Sequence, residues 1–391
     1  MRAVIAAPPP ALAALEAGMA RELEALAAAA RRRFLRPPAG QDFCSNDYLG
    51  LASHPALRAA ALRHLQTDLP LGSTSARLVR GEHPAFGELE RAFAAFVGAE
   101  AALFFSSGYA ANCGLIAALA GKSDLIFSDR LNHASIIDGV RLSGAERVRV
   151  PHGDLAAWER AFAAHPPQPG QRRFAIVESI HGMDGDRAPL APLAALCARA
   201  EAALIVDEAH ATGLCGPRGA GCVADDGVRA QVLATVHTCG KALGAAGALV
   251  AGSAVLRDYL INRARTFIYA TAPPPWLPLQ ILAAMQVAEA ESWRRERVMA
   301  LARRLRALLR AAGLEAGSDA EGSAIVPVIL GADARALAVA ESLARAGFDA
   351  RAIRPPTVPE GTARLRVTLH ASQTEAEVEA FAAALVAALA A

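Results

Sequence analysis

Ala202-Ala203-Leu204-Ile205-Val206-Asp207-Glu208-Ala209-His210 is an apolar run that stops on two acids and a histidine. A run of this length that is apolar at every position, rather than at alternate ones, reads as a strand covered on both faces. Short strand-like runs recur at Ala102–Ser106, Leu125–Asp129, Arg147–Val150, Phe174–Ser179, Leu233–Thr238 and Gly247–Gly252, several of them near-continuously apolar, separated by helical stretches. Strands alternating with helices predict an α/β fold with a mostly parallel seven-stranded sheet. Ligands of such sheets sit at the carboxyl ends of strands. Asp207 and His210 are therefore candidate functional residues.

Outward from this sheet, residues 11–35 read as an alanine-rich helix ending in Arg31-Arg32-Arg33, which closes an N-terminal segment at residues 1–45. The sheet fills a large domain at residues 46–275. Thr271-Ala272-Pro273-Pro274-Pro275-Trp276 breaks the rhythm, and one long helical stretch to Gly313 opens a small α+β domain at residues 276–391. In that domain Ser323–Leu330, Phe348–Arg354 and Ala363–Ala371 read as extended, with helices from Ala334 to Gly347 and from Thr374 onward.

With 391 residues, 53% hydrophobic and 20% charged, the chain is too large for one core and too apolar for disorder. A formal charge of +2 leaves no basic footprint for nucleic acid or an anionic membrane. The longest weakly polar run, Ala242–Leu256, is too short to span a bilayer. Pro8, Pro9 and Pro10 interrupt the apolar N-terminus, so a secretory leader is not expected. The 6 cysteines form no CxxC pair, which points to a reducing cytoplasm and to neither a disulfide framework nor a metal site.

Of the 40 basic residues only Lys122 and Lys241 are lysines. A surface ion pair accepts either cation, but only a lysine amine can lose its proton and form an imine with a carbonyl. Lys122 lies in the turn Gly121-Lys122-Ser123-Asp124. Lys241 follows the strand Leu233–Thr238 and precedes Ala242-Leu243-Gly244, a small apolar setting that disfavours the ammonium.

Asp207 allows two readings. Asp-Glu-Ala-His resembles the acidic box of a nucleic-acid-dependent NTPase, but the phosphate loop this needs is missing: Thr235 stands where its first glycine belongs and Ala242 where its Ser/Thr belongs. The second reading joins Asp207 to Lys241. Pyridoxal 5'-phosphate needs a lysine for its aldehyde, an acid to keep its ring nitrogen protonated, and donors for its phosphate. Ser106-Ser107-Gly108-Tyr109, between a strand and a helix, offers a helix N-terminus for the phosphate, with Thr238 and Thr271 as hydroxyl donors. His133, after another strand end, can lie flat on the cofactor ring, and His210 can reach its phenolic oxygen. The other histidines read as solvent-facing or core residues.

These residues carry a resemblance to the α-oxoamine synthase family of pyridoxal-phosphate enzymes over nearly the whole chain. Its carriers are Ser45-Asn46-Asp47-Tyr48-Leu49-Gly50-Leu51, Ser107-Gly108-Tyr109-Ala110-Ala111-Asn112, Asp129 to Ser135, Met183-Asp184-Gly185-Asp186, Asp207 to His210 and Thr238-Cys239-Gly240-Lys241. Ile353-Arg354-Pro355-Pro356-Thr357-Val358-Pro359 with Arg364-Leu365-Arg366 is most similar to the branch that condenses L-alanine with a pimeloyl thioester, carried on coenzyme A or an acyl carrier protein. The sister branches use glycine or serine.

The resemblance implies a cytoplasmic fold-type-I homodimer with its site at the subunit interface. It implies Lys241 as the imine lysine, His133 on the ring, Asp207 on the ring nitrogen, and phosphate contacts from Gly108, Tyr109 and Thr238. It implies that Arg354 binds the amino-acid carboxylate and that Arg31, Asn46 and Thr357 contact substrate. Many relatives have serine where this chain has Gly182, which removes a hydroxyl beside the cofactor; Ser179 or His181 is the expected replacement.

Overall fold

The computed structural model describes residues 9–317 and 323–390. Its central sheet has seven strands: β1 (Ala101–Phe105), β2 (Leu125–Asp129), β3 (Glu146–Val150), β4 (Arg173–Glu178), β5 (Ala203–Asp207), β6 (Val232–Thr238) and β7 (Ala248–Gly252). They lie in the order β1-β7-β6-β5-β4-β2-β3. Only the pairings that β7 makes, with β1 and β6, are antiparallel. The other six strands therefore run the same way and deliver their carboxyl ends to one edge, where ligands of such sheets bind.

Successive strand residues point to opposite faces. Phe104, Phe127, Val177 and Val206 pack into one core, and Phe105, Ile126, Ile176 and Ile205 into the other. Both faces are thus covered, which is why these strands are apolar throughout. The edge strand β3, Glu-Arg-Val-Arg-Val, is charged where no neighbour covers it, which guards its free edge against pairing with another chain.

Two sequence expectations need correction. The N-terminal helix is Pro10–Ala28, not 11–35. Ala30 adopts φ 56°, and the amides of Arg31 and Arg32 both turn back to the Leu26 carbonyl, at 2.7 and 3.0 Å. The three arginines therefore leave the helix. The long stretch after Trp276 is two helices, Trp276–Ala290 and Trp293–Ala311, because Glu291 departs from helical geometry at ψ 56°. The first packs against the helices Pro55–Leu65 and Pro84–Val97, the second against Glu375–Ala390.

In the C-terminal part, Ile325–Gly331, Ala363–Thr368 and Ala352–Ile353 form an antiparallel sheet. Gln41–Asp42 pairs in parallel with Phe348–Asp349, tying the segment after the first helix to this part. No described helix is long and apolar enough to cross a membrane.

Candidate active site

At the carboxyl edge of the sheet, Asp207 ends β5 and is buried. Its Oδ2 accepts from Asn112 Nδ2 at 2.7 Å and its Oδ1 from the Ala209 amide at 2.9 Å. Among the described residues Asp207 has no ion-pair partner. A buried carboxylate held by neutral donors alone is costly unless a cation comes to it.

Asn112 lies one turn into the helix Gly108–Leu119. Its second amide hydrogen goes to Ser135 Oγ at 3.0 Å. Ser135 in turn contacts His133: its amide donates to His133 Nδ1 at 3.2 Å, and its Oγ lies 2.8 Å from the same atom. Nδ1 is thus an acceptor, which leaves the ring proton on Nε2. His133 caps the helix Ala134–Ser143, and its backbone amide donates to Glu178 Oε1 at 2.6 Å. The imidazole is exposed while its backbone is pinned.

Lys241 sits in the turn after β6, with Nζ 3.1 Å from His210 Nε2. Burial pushes its amine down to about 8, and Arg366 adds to this, against the opposing pull of Asp207 and Glu178. His210 is held well below its ordinary range by burial, then by Lys241 and Arg366. It is therefore neutral. Its Nδ1 lies 2.7 Å from the buried Tyr48 hydroxyl, which also takes a bond from Arg366 Nη2 at 3.1 Å and donates to Asn46 Oδ1 at 3.1 Å. His210 therefore bridges the buried Tyr48 hydroxyl and the Lys241 amine through its two ring nitrogens. This chain of bonds fixes the direction of the lysine amine.

Ser107 caps the helix Gly108–Leu119, accepting from the Ala110 amide at 3.1 Å, and the free amides of the first turn face the site. A Cβ on Gly108 would lie 2.5 Å from Thr238 Cγ2, so glycine is required where this turn meets β6. Thr238 Oγ1 donates to the Ala209 carbonyl at 3.3 Å.

The donor set fits pyridoxal phosphate: an acid lacking a cation, a lysine with a depressed proton affinity, an exposed imidazole tied to that acid through Ser135 and Asn112, and a helix N-terminus narrowed to glycine. The sheet edge and its loops bring together Lys241, His210, Asp207, His133, Gly108, Thr238 and Asn46. Tyr109 is half exposed, and its hydroxyl donates to Asp138. Thr271 is exposed and bridges Ala76. No described contact joins it to the cluster.

The substrate side is looser. Arg354 donates to the Ala30 carbonyl, while Thr357 is exposed and its amide donates to Arg354 O at 3.1 Å. Arg31 bonds Asp333 at 2.7 Å and also Glu360. Neither replacement expected for the missing serine serves. Ser179 Oγ donates to Glu208 Oε2 at 2.7 Å, and the His181 ring packs on His152, its centroid 4.0 Å away. A Cβ at position 182 would lie only 2.5 Å from His210 Nε2, so Gly182 is what lets His210 face Lys241.

Tyr48, Asn112, Glu178 and Arg366 received no role from sequence. Arg364 and Arg366 alternate with apolar residues in Ala363–Thr368, which reads as a strand with one wet face, yet both arginines are buried. Asn112 had a signal: it is four residues beyond Gly108, on the same helix face.

A profile of the aminotransferase class I and II family matches residues 40–385. An 8-amino-7-oxononanoate synthase of Anaeromyxobacter dehalogenans is 48% identical over 381 residues, covering 94% of each chain. One from Polaromonas is 46% identical over 350 residues, covering 88% of this chain and 85% of that one. Among solved structures, a serine palmitoyltransferase of S. paucimobilis with a bound PLP–myriocin aldimine superposes with a TM-score of 0.87 at 28% identity, covering 95% of this chain and 96% of that one. An 8-amino-7-oxononanoate synthase of Francisella tularensis gives 0.77 at 29% identity, covering 89% and 97%.

Proposed function

We propose that this chain, which belongs to the aminotransferase class I and II family and within it to the α-oxoamine synthases, carries out the 8-amino-7-oxononanoate synthase reaction of biotin biosynthesis. L-Alanine and a pimeloyl thioester of coenzyme A or an acyl carrier protein give 8-amino-7-oxononanoate, carbon dioxide and the free thiol. The alanine Cα bonds to the thioester carbonyl carbon, the carbon–sulfur bond breaks, and the alanine carboxyl group leaves. The observation that carries this reading is the pairing of a buried, cation-free Asp207 with Lys241, whose amine burial pushes down to about 8.

When bound, pyridoxal phosphate supplies an aldehyde for covalent capture of an amine and a cationic ring that takes up carbanion charge. Lys241 carries protons at Nζ: with its affinity near neutrality the amine is a base strong enough to accept one and weak enough to return it. Neutral His210 holds that amine through Nε2 and cannot compete for positive charge. Asp207, fixed by Asn112 and the Ala209 amide, stabilises positive charge at the ring nitrogen. The amides of the Gly108–Tyr109 turn would hold the phosphate, with Thr238 beside it, its hydroxyl resting on the Ala209 carbonyl. His133 would hold the ring from one face, its Nδ1 fixed by Ser135.

On the substrate side, Arg354 takes the alanine carboxylate, and Asn46, Arg31 and Thr357 contact the acyl substrate. Two copies assemble as a cytoplasmic homodimer. The functional division is a large domain at residues 46–275 and a small one at 276–391.

Incubating the cofactor-loaded protein with a pimeloyl thioester and alanine, glycine or serine, and weighing the products, tests the reading. The expected product is 8-amino-7-oxononanoate, from alanine. A product from glycine or serine alone moves the chain to a sister activity.

A further inference from the structure

Behind the active site a second group of side chains has no part in this chemistry. Asp129 ends β2, His152 follows β3, and His181 and Asp186 stand on the loop after β4. The loop is closed by hydrogen bonds from the His181 amide to the Asp186 carbonyl at 3.0 Å and from the Gly185 amide to the His181 carbonyl at 2.8 Å. His152 lies between the aspartates, with Nδ1 3.0 Å from Asp129 Oδ2 and Nε2 2.9 Å from Asp186 Oδ2.

A protonated His152 between two carboxylates accounts for those three residues but leaves His181 unexplained. His181 is 2% exposed. Neither ring nitrogen has a hydrogen-bond partner among the described residues, and Asp186 Oδ1 is likewise buried and unbonded. A buried imidazole with both nitrogens unsatisfied is expensive. Its Nε2 lies 3.7 Å from Asp129 Oδ1, within ion-pair range but too far for a hydrogen bond.

We propose that Asp129, His152 and His181 form a binding site for a divalent transition metal of the Zn2+ class, with Asp186 holding the second ring nitrogen of His152. Two imidazoles and carboxylates are donors that Zn2+ takes at about 2.0–2.2 Å, which puts adjacent donors of a tetrahedron about 3.4 Å apart. The Asp129–His152 and Asp129–His181 separations, 3.0 and 3.7 Å, bracket that value, and one donor atom from each of the three lies within 4.8 Å of the others. The four side chains border a cavity of about 20 Å3, room for one ion or one water. Partly exposed Asp186 and His152 give it a path from solvent.

The ion would tie together two loops that serve the active site. Asp129 Oδ1 accepts from the Leu131 amide at 2.8 Å, at the start of the turn that presents His133. His181 precedes Gly182, the residue that makes room for His210.

Titration of metal-free, cofactor-loaded protein with ZnCl2 in a calorimeter tests the site, with His181→Phe in parallel. One equivalent should bind the parent protein and raise its melting temperature. The affinity of His181→Phe should fall by at least about tenfold, the scale of perturbed metal sites. Without zinc this variant should melt no lower than its parent, because the ring it loses makes no hydrogen bond. No binding to the parent, or undiminished binding to the variant, overturns the proposal. Should His181→Phe fail to fold, anomalous scattering from parent crystals soaked in ZnCl2 decides: a peak among Asp129, His152 and His181 supports the site, and peaks only elsewhere overturn it.

Discussion

The two halves of the active site are built differently. On the cofactor half, Asp207, His133, His210 and Lys241 stand at strand ends or one turn beyond, and buried or part-buried hydrogen bonds fix each of them. On the substrate half, Arg31 and Thr357 come from irregular chain and are partly or fully exposed, with Arg31 engaged by acids rather than by any buried frame. Preorganisation belongs where charge develops during reaction. Substrate contacts can be made and broken, so long side chains on loops suffice there.

Substitutions on the two halves should therefore differ in size and in kind. Lys241→Ala should abolish turnover and covalent retention of the cofactor, read by a spectroscopic assay and by absorbance after gel filtration. In the parent protein, the rate of covalent cofactor capture should rise with pH through a midpoint of about 8, because only the neutral amine reacts. An ordinary lysine, with a pKa of about 10.4, would place that midpoint more than two units higher. Asp207→Asn, which keeps shape but removes charge, should lower kcat by about 10²–10³-fold, the scale of losing one electrostatic stabiliser. Asn112→Leu, which frees Asp207 and Ser135 together, should cost about 10–100-fold in kcat with little change in KM, as expected of a residue that acts by orienting others. Arg31→Ala should be the mildest, raising KM for the thioester a fewfold and leaving kcat and the melting temperature unchanged. A large kcat effect at Arg31, or a pure KM effect at Asn112, would erase the contrast between the halves.

The same contrast governs what could be read without coordinates. The central strands other than β3 were legible because both faces of the sheet are buried along them, which leaves near-continuous apolar runs. Asp207 and Lys241 were legible because they follow such runs directly, and Lys241 because lysine is so rare in this chain. Arg364 and Arg366 were not, since an alternating strand looks alike whether its polar face meets water or an active site. His152 and His181 were hidden for another reason: they are 29 residues apart in sequence and meet only where the loops after β3 and β4 converge. Gly182 showed as a departure from its relatives, but its meaning is steric and needed the position of His210. The end of the first helix was missed because arginine is a good helix former and nothing near Ala30 announces its positive φ.

The central claim is that one amine of this chain binds the cofactor covalently, and a chain with two lysines makes the test nearly binary. The measurement is borohydride reduction of the cofactor-loaded protein, followed by digestion and peptide mass analysis. The phosphopyridoxyl mass should appear on the peptide containing Lys241 and be absent from the one containing Lys122. A label on Lys122, or none on either, would contradict the account.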